Sequence, residues 1–214
     1  MRRITLRRPD LLSEWRRRYG ESAAKSSTAQ GISRRSDLWH RMMMATPDRH
    51  DALVDKLADH VLAHGLAASS LRPLARAAGT SDRMLLYYFA DKDAVIGAAL
   101  ARIAARMVTM LDMAAPRAPL APDALRDHLA PLLTDPNVWP YMRVWLDMAA
   151  RAAQGDVAIR TVGGGIGRAF LDWLARHLAA EDREGEAARL LIEIEGTMLL
   201  ASLGLVEAIA AARG

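Results

Sequence analysis

Between Thr46 and Val95 the start and stop signals for helices recur at such short intervals that only a compact helical unit can accommodate them. Thr46 is placed to cap a helix, with Pro47 at its first position and Asp48 in its first turn. Leu53, Leu57 and Val61 then recur every four residues on one apolar face, and Gly65 ends the run. A second start follows at once in "SSLRPLARAAG". Ser70 is the better cap there, because it puts Pro73 in the first turn, where a missing N–H breaks no intrahelical bond. A cap at Ser69 would carry Pro73 one residue deeper. This second helix covers residues 71 to 78, and Gly79 closes it. Ser81 caps a third, with Asp82 near its positive end and Leu85 and Phe89 facing inward. Asp91 caps a longer fourth helix through Val95, Ile96, Leu100, Ile103, Met107 and Leu111, which Pro116, Pro119 and Pro122 bring to an end. Three helices joined by tight glycine turns, the second and third short, make a helix-turn-helix pattern, one that other small helical bundles share.

The remainder of the chain is of the same kind. Its 214 residues are 51% hydrophobic, alanine and leucine dominate, and β-branched alternation is nearly absent, which predicts an all-α protein. With no cysteine, disulfides, thiolate nucleophiles and cysteine-based zinc sites are excluded, and a cytoplasmic location fits most easily. The Arg-rich N-terminus is not followed by the apolar segment of a signal peptide. The most apolar stretch, residues 190–212, carries Glu193, Glu195 and Glu207, which would be costly in lipid, so no membrane association is expected.

The net charge of +4 is unevenly placed. Residues 1–41 hold eleven Arg/Lys against four Asp/Glu, a balance of +7, which leaves −3 for the remainder. This segment is polar and rich in small residues, apart from one short helical pattern with Leu11, Leu12 and Trp15 on a face, and reads as a largely disordered extension. It is either a basic arm for DNA phosphates or a solvated tail, and Met42-Met43-Met44 also allows translation to start there. Residues 42–100 hold six basic and seven acidic side chains, so a polyanion-binding face there has to be concentrated on Arg72, Arg83 and Lys92.

Beyond residue 101 the apolar spacing predicts helices in 123–134, 138–153 and 159–179, and a single long one in 185–213. Phe170, Trp173, Leu174, His177 and Leu178 share one face of the third; Leu190, Leu191, Ile194, Met198, Ala201 and Leu205 share one face of the last. Trp139, Tyr141, Met142, Trp145 and Met148, with Met107, Met110 and Leu111, offer the adaptable apolar side chains of a ligand pocket, and equally those of a plain core. Arg143 and Asp147, four apart, form either a surface pair or the polar handle of such a pocket. The run Gly163-Gly164-Gly165-Ile166-Gly167 lacks the strand and the Lys-Ser/Thr of a phosphate loop and reads as a flexible helix start or a close helix contact. His60 and His64 have metal-pair spacing but no third ligand, which suits a solvated helix end better. No nucleophile, base and orienting group can be assembled, so neither catalytic residues, metal nor cofactor is expected.

The stretch "DALVDKLADHVLAHGLAASSLRPLARAAGTSDRMLLYYFADKDAVIGAAL" resembles, without a gap, the N-terminal DNA-binding region of the TetR family of bacterial transcriptional regulators. The similarity rests on the "HG" ending of the first helix, the Ser-x-Arg start of the second, "LARAAGTS" leading into the third, and "LxYxF" followed by an acidic-Lys-acidic opening of the fourth. It implies a DNA-binding domain over 42–100 and a helical effector-binding and dimerisation domain over 101–214, whose last two helices pair with their mates in a homodimer. It further implies a ligand-responsive repressor that binds double-stranded palindromic DNA and a small apolar or amphipathic effector. At matching positions, Ser70 and Arg72 would approach the backbone or groove edge. Thr80, Ser81, Asp82, Arg83 and Met84 would form the turn and base-facing end of the third helix, with Arg83 suited to guanine. Tyr87, Tyr88 and Lys92 would hold phosphates. Many members read "LYYHF" where this chain has "LLYYF", so Leu86 replaces a tyrosine, and its phosphate contact falls to Tyr87 or Tyr88. The alternative is a helical adaptor that binds protein through its apolar faces.

Overall fold

The computed structural model describes residues 47–212; the basic extension and the Thr46 cap lie outside them. Among the described residues there are nine helices and no strand, apart from one isolated bridge between Leu120 and Leu178. Helix α1 spans Pro47–His64, α2 Leu71–Ala78, α3 Asp82–Tyr88 and α4 Lys92–Met113. These are followed by α5 (Pro122–Leu133), α6 (Trp139–Ala153), α7 (Val157–His177), α8 (Arg183–Ser202) and α9 (Val206–Ala211).

The punctuation of the first four helices is local chemistry. Gly65 and Gly79 take left-handed backbone, with φ of 77° and 72°, where a side chain would be strained. The amides of Gly79 and Thr80 turn back onto the carbonyls of α2. Ser81 Oγ accepts from the amide of Met84 at 3.3 Å, and an Asp91 carboxylate oxygen accepts from Ala94 at 2.8 Å. Ser70 stands at the cap position of α2 with extended backbone, but its side chain makes no cap bond. Ser69 is the buried one, and its hydroxyl donates to the carbonyl of Gly65 at 2.7 Å, closing the α1–α2 turn instead.

The helix-turn-helix head packs Val54, Leu57, Val61, Leu74, Leu85 and Phe89 against Val95, Ile96 and Leu100. That core does not stop at residue 100. It continues into Val144 and Met148 of α6 and Ile159 of α7, so α4 passes from the head into the body as one rod. A second cluster, with Leu125, Leu129, Trp173, Leu174, Leu190, Ile194 and Met198, fills the body between α5, α7 and α8. Helix α4 is long and apolar enough, by length and composition, to cross a bilayer. Here it is the shared rod of two cores, and it carries Arg102 and Arg106 on its flank. Arg102 pairs with Asp51 and Asp55 of α1 at 2.9 Å, and Arg106 pairs with Asp55 at 2.8 Å and Asp59 at 2.6 Å. The three aspartates recur every four residues, so two arginines one turn apart interleave with them as a ladder.

The sequence-based expectation of one helix over 185–213 is corrected. The chain breaks at Gly204, which takes φ of 77°, and α9 restarts in a new direction after the amide of Leu205 bonds back to the carbonyl of Leu200. The glycine run falls in the middle of α7, where a Cβ on Gly163 or Gly167 would lie 3.5 Å from Met148 or 3.7 Å from Trp145. It thus packs against α6 at ordinary contact distance and is no helix start. Leu174 is fully buried in the second cluster. Leu174→Ala is expected to lower unfolding stability by about 2–5 kcal/mol, read from chemical denaturation.

Candidate functional site

Two features could carry function: an exposed face on α2 and α3, and a cavity in the body. On the first, Ser70, Arg72, Ser81, Arg83, Tyr87 and Lys92 are exposed, while Thr80, Asp82, Met84 and Tyr88 are half-buried. Arg83 lies in the first turn of α3, beside the cap. Ser81 uses its oxygen lone pair on Met84, which leaves its O–H proton available as a donor. Tyr87 and Tyr88 differ: their rings meet edge to face at 5.6 Å, and Tyr88 leans on the head core near His50. Tyr87 points outward with Leu86, whose 47% exposure is high for a leucine. Arg76, which no sequence argument had singled out, is exposed on the last turn of α2.

The acidic count of the head also changes meaning. Of its seven carboxylates, Asp51, Asp55 and Asp59 are engaged by Arg102 and Arg106, which lie beyond residue 100. Counted to residue 106, the head holds eight basic and seven acidic side chains. The ladder occupies three of those acids on the α4 side of α1.

The body encloses a cavity of about 180 Å³ between α4, α6, α7 and α8, with walls almost wholly apolar. Met107, Leu111, Tyr141, Met142, Trp145 and Met148 line it, six of the eight pocket residues expected from the sequence. Met110 packs into the second core cluster without lining the cavity, and Trp139, at the start of α6, is 41% exposed. Phe170, Trp173, Ile194 and Met198, which the spacing groups on the apolar faces of the last two helices, also line it. The outward apolar residues are instead Ile192, Leu199, Leu203, Leu205 and Val206, each between 40% and 71% exposed. Leu205 and Ala201, grouped by spacing with Ile194 and Met198, are exposed instead, and the inward stripe ends at Met198 before the break at Gly204.

Glu195 is the cavity residue that sequence reasoning missed. It sits on the inward stripe of α8, between Leu191 and Met198 in helical spacing, and lines the cavity. Its Oε2 accepts a 2.7 Å hydrogen bond from the Trp145 indole N–H, its single hydrogen-bonding partner among the described residues. Burial pushes its carboxyl above the ordinary range, and the Trp145 bond opposes this in part.

Arg143 and Asp147 do neither of the two things expected of them. Both reach from α6 to the end of α1. The Arg143 guanidinium donates to the carbonyls of Leu62 and Ala63, the latter at 3.1 Å. Asp147 Oδ2 accepts from the amide of Leu66 at 3.0 Å. A Cβ on Gly65 would come within 2.9 Å of that oxygen, so the glycine serves both the turn and this contact. His60 and His64 stack at 4.6 Å, with His64 exposed and His60 half-buried. Burial, the largest cause, and the neighbouring His64 lower the pKa of His60 against a backbone hydrogen bond at Ala68, so the helix end is less solvated than its sequence suggests. Among the described residues no group of three His, Asp or Glu side chains could hold a metal.

The raised carboxyl of Glu195 has a definite sign in stability. The folded state holds this proton more tightly than the unfolded chain, so stability falls as pH rises through the interval between the ordinary and the raised value. Glu195→Gln, which keeps an oxygen for Trp145, is expected to match the parent in acid and to become the more stable of the two as pH approaches neutrality. Thermal melts across that range check it.

Residues 56–99 match the family model described as bacterial regulatory proteins, tetR family. Comparison with curated proteins gives no match. Among solved structures, a transcriptional regulator from Rhodococcus sp. Rha1 is 24% identical, with 71% of this chain and 82% of that one aligned at a TM-score of 0.59. The multidrug binding protein EbrR, complexed with imidazole, is 24% identical over 74% of this chain and 82% of its own, at 0.54. FadR from Bacillus subtilis, in complex with stearoyl-CoA, is 16% identical over 72% and 88%, at 0.53. At such identities these structures establish the fold. The match to the tetR family of bacterial regulatory proteins covers the helix-turn-helix head, and the fold shared with these structures extends over the body.

Proposed function

We propose that the protein is a ligand-responsive transcriptional repressor that binds a palindromic operator as a homodimer. The observation that carries this reading is the exposed opening of α3, with Arg83 in its first turn and Arg72 and Lys92 exposed at the starts of α2 and α4. Side chains at the start of such a helix reach base edges in the major groove, and flanking cations and hydroxyls fix its register on phosphates. Arg83 reads a guanine; Ser70, Arg72, Ser81, Tyr87, Tyr88 and Lys92 hold the backbone. Thr80, Asp82 and Met84 shape the turn and the first base contacts. Tyr87, exposed beside Leu86, takes the phosphate contact that the family's first tyrosine makes.

The body, from residue 101, binds the effector and the second copy. Ile192, Leu199, Leu203 and Val206 give α8 and α9 an outward apolar face suited to pairing with its mate. A small apolar or amphipathic effector enters the cavity, whose α6 wall also holds the end of α1 through Arg143 and Asp147. A ligand that shifts α6 therefore shifts α1 and, through the head core, α3. The same outward face would serve a protein-binding adaptor, which predicts a partner protein and no sequence preference on DNA.

Mobility-shift titrations against DNA selected from a random pool distinguish the two. The protein is expected to enrich a two-fold symmetric site, and Arg83→Ala to weaken that site by about 1–3 kcal/mol and relax preference at one base position. No enrichment, or unchanged preference in the variant, defeats the repressor reading. Leu203→Asp is expected to convert a sedimenting dimer to monomer. Arg143→Ala is expected to leave operator affinity within a few-fold while blunting its loss on adding effector.

A further inference from the structure

We propose that the cavity selects a lipophilic cation, with Glu195 as its counter-ion and the rings of Tyr141, Trp145, Phe170 and Trp173 as its walls. This rests on the reading of the cavity as the effector site and names the ligand class. The cavity is close in size to the roughly 150 Å³ that suffices for benzene, and it is open enough for a substituent to extend outward. An apolar space of this kind would take any small hydrophobe were it not for one carboxyl. Glu195 lies on the inward stripe of α8, holds a single hydrogen bond and has no cationic side chain within ion-pairing distance among the described residues. The other charged residue on the lining, Arg176, is exposed at the edge of α7 and makes no ion pair with it.

A carboxyl in that position resists ionising when the space beside it is apolar, and ionises readily when a fixed positive charge takes that space. Its proton then leaves to solvent, so binding of a permanent cation strengthens as pH rises through the carboxyl's raised range. The aromatic walls act in the same direction, because ring faces attract a desolvated cation. An anion would meet the same carboxyl with repulsion.

The test is calorimetric titration of the full-length protein with three probes of one ring each: benzyltrimethylammonium, benzyl alcohol and phenylacetate. The cation is expected to bind tightest, and its affinity to rise between pH 5 and pH 8. Glu195→Gln is expected to weaken the cation roughly ten- to thirty-fold while leaving benzyl alcohol unchanged. Glu195→Asp, which keeps the charge, is expected to retain part of the preference. Equal or tighter binding of benzyl alcohol or phenylacetate, or a Glu195→Gln variant that still prefers the cation, overturns the counter-ion assignment and leaves the cavity a ligand site. Binding of none of the three overturns the cavity reading with it.

Discussion

The end of α1 is where the two halves of the molecule are fastened, and the fastening is a matter of hydrogen-bond accounting. A helix leaves its last carbonyls without intrahelical partners, and the turn that follows exposes an amide. In this chain both needs are met from outside, by Arg143 and Asp147 on a helix of the body. If the head swings away from α6 the exposed carbonyls of Leu62 and Ala63 pass to water and the part-buried amide of Leu66 loses its carboxylate, so these bonds fix direction more than they add stability. The shared apolar core across Leu57, Val144 and Met148 adds no preference of direction, whereas the hydrogen bonds do. They set where α1 points, and with it the angle of the two short helices it supports.

The charge ladder between α1 and α4 solves a second problem. A head with more acids than bases would repel the polyanion proposed as its partner. Locking Asp51, Asp55 and Asp59 against Arg102 and Arg106 offsets three of the seven carboxylates without spending the cations of α2 and α3. Exposed pairs of this sort contribute little to stability one by one. Their value here is orientation, since two arginines interleaved with three aspartates fix the register of one helix along the other.

Much of the head was legible because its signals are local. Gly65, Gly79, Ser81 and Asp91 act within four residues of themselves, and each does in space what its neighbours in sequence imply. The body was legible only as far as periodicity reaches. Spacing shows that Trp173 and Ile194 share faces with other apolar residues, but it does not distinguish a face turned inward to a cavity from one turned outward to a second copy. Arg143 and Asp147 have the spacing of a partnered pair and instead serve separate backbone groups some eighty positions away, which no local rule can anticipate. Glu195 was noticed only as a reason to exclude lipid. Its place on the apolar stripe with Leu191 and Met198 was the available signal, because a carboxylate there has to be either paired or functional.

Helix α7 carries four glycines between residues 163 and 167, and two of them show what they are for. A methyl group at Gly163 or Gly167 would make only ordinary contacts with Met148 and Trp145, so alanine would fit. Alanine would also strengthen the helix by up to about 1 kcal/mol per position. The chain forgoes that gain along one wall of the cavity, leaving a segment whose backbone bonds open at lower cost than those of the helices around it. Amide exchange along α7 should therefore be fastest in its middle and slower toward both ends, the reverse of the fraying that an ordinary helix shows.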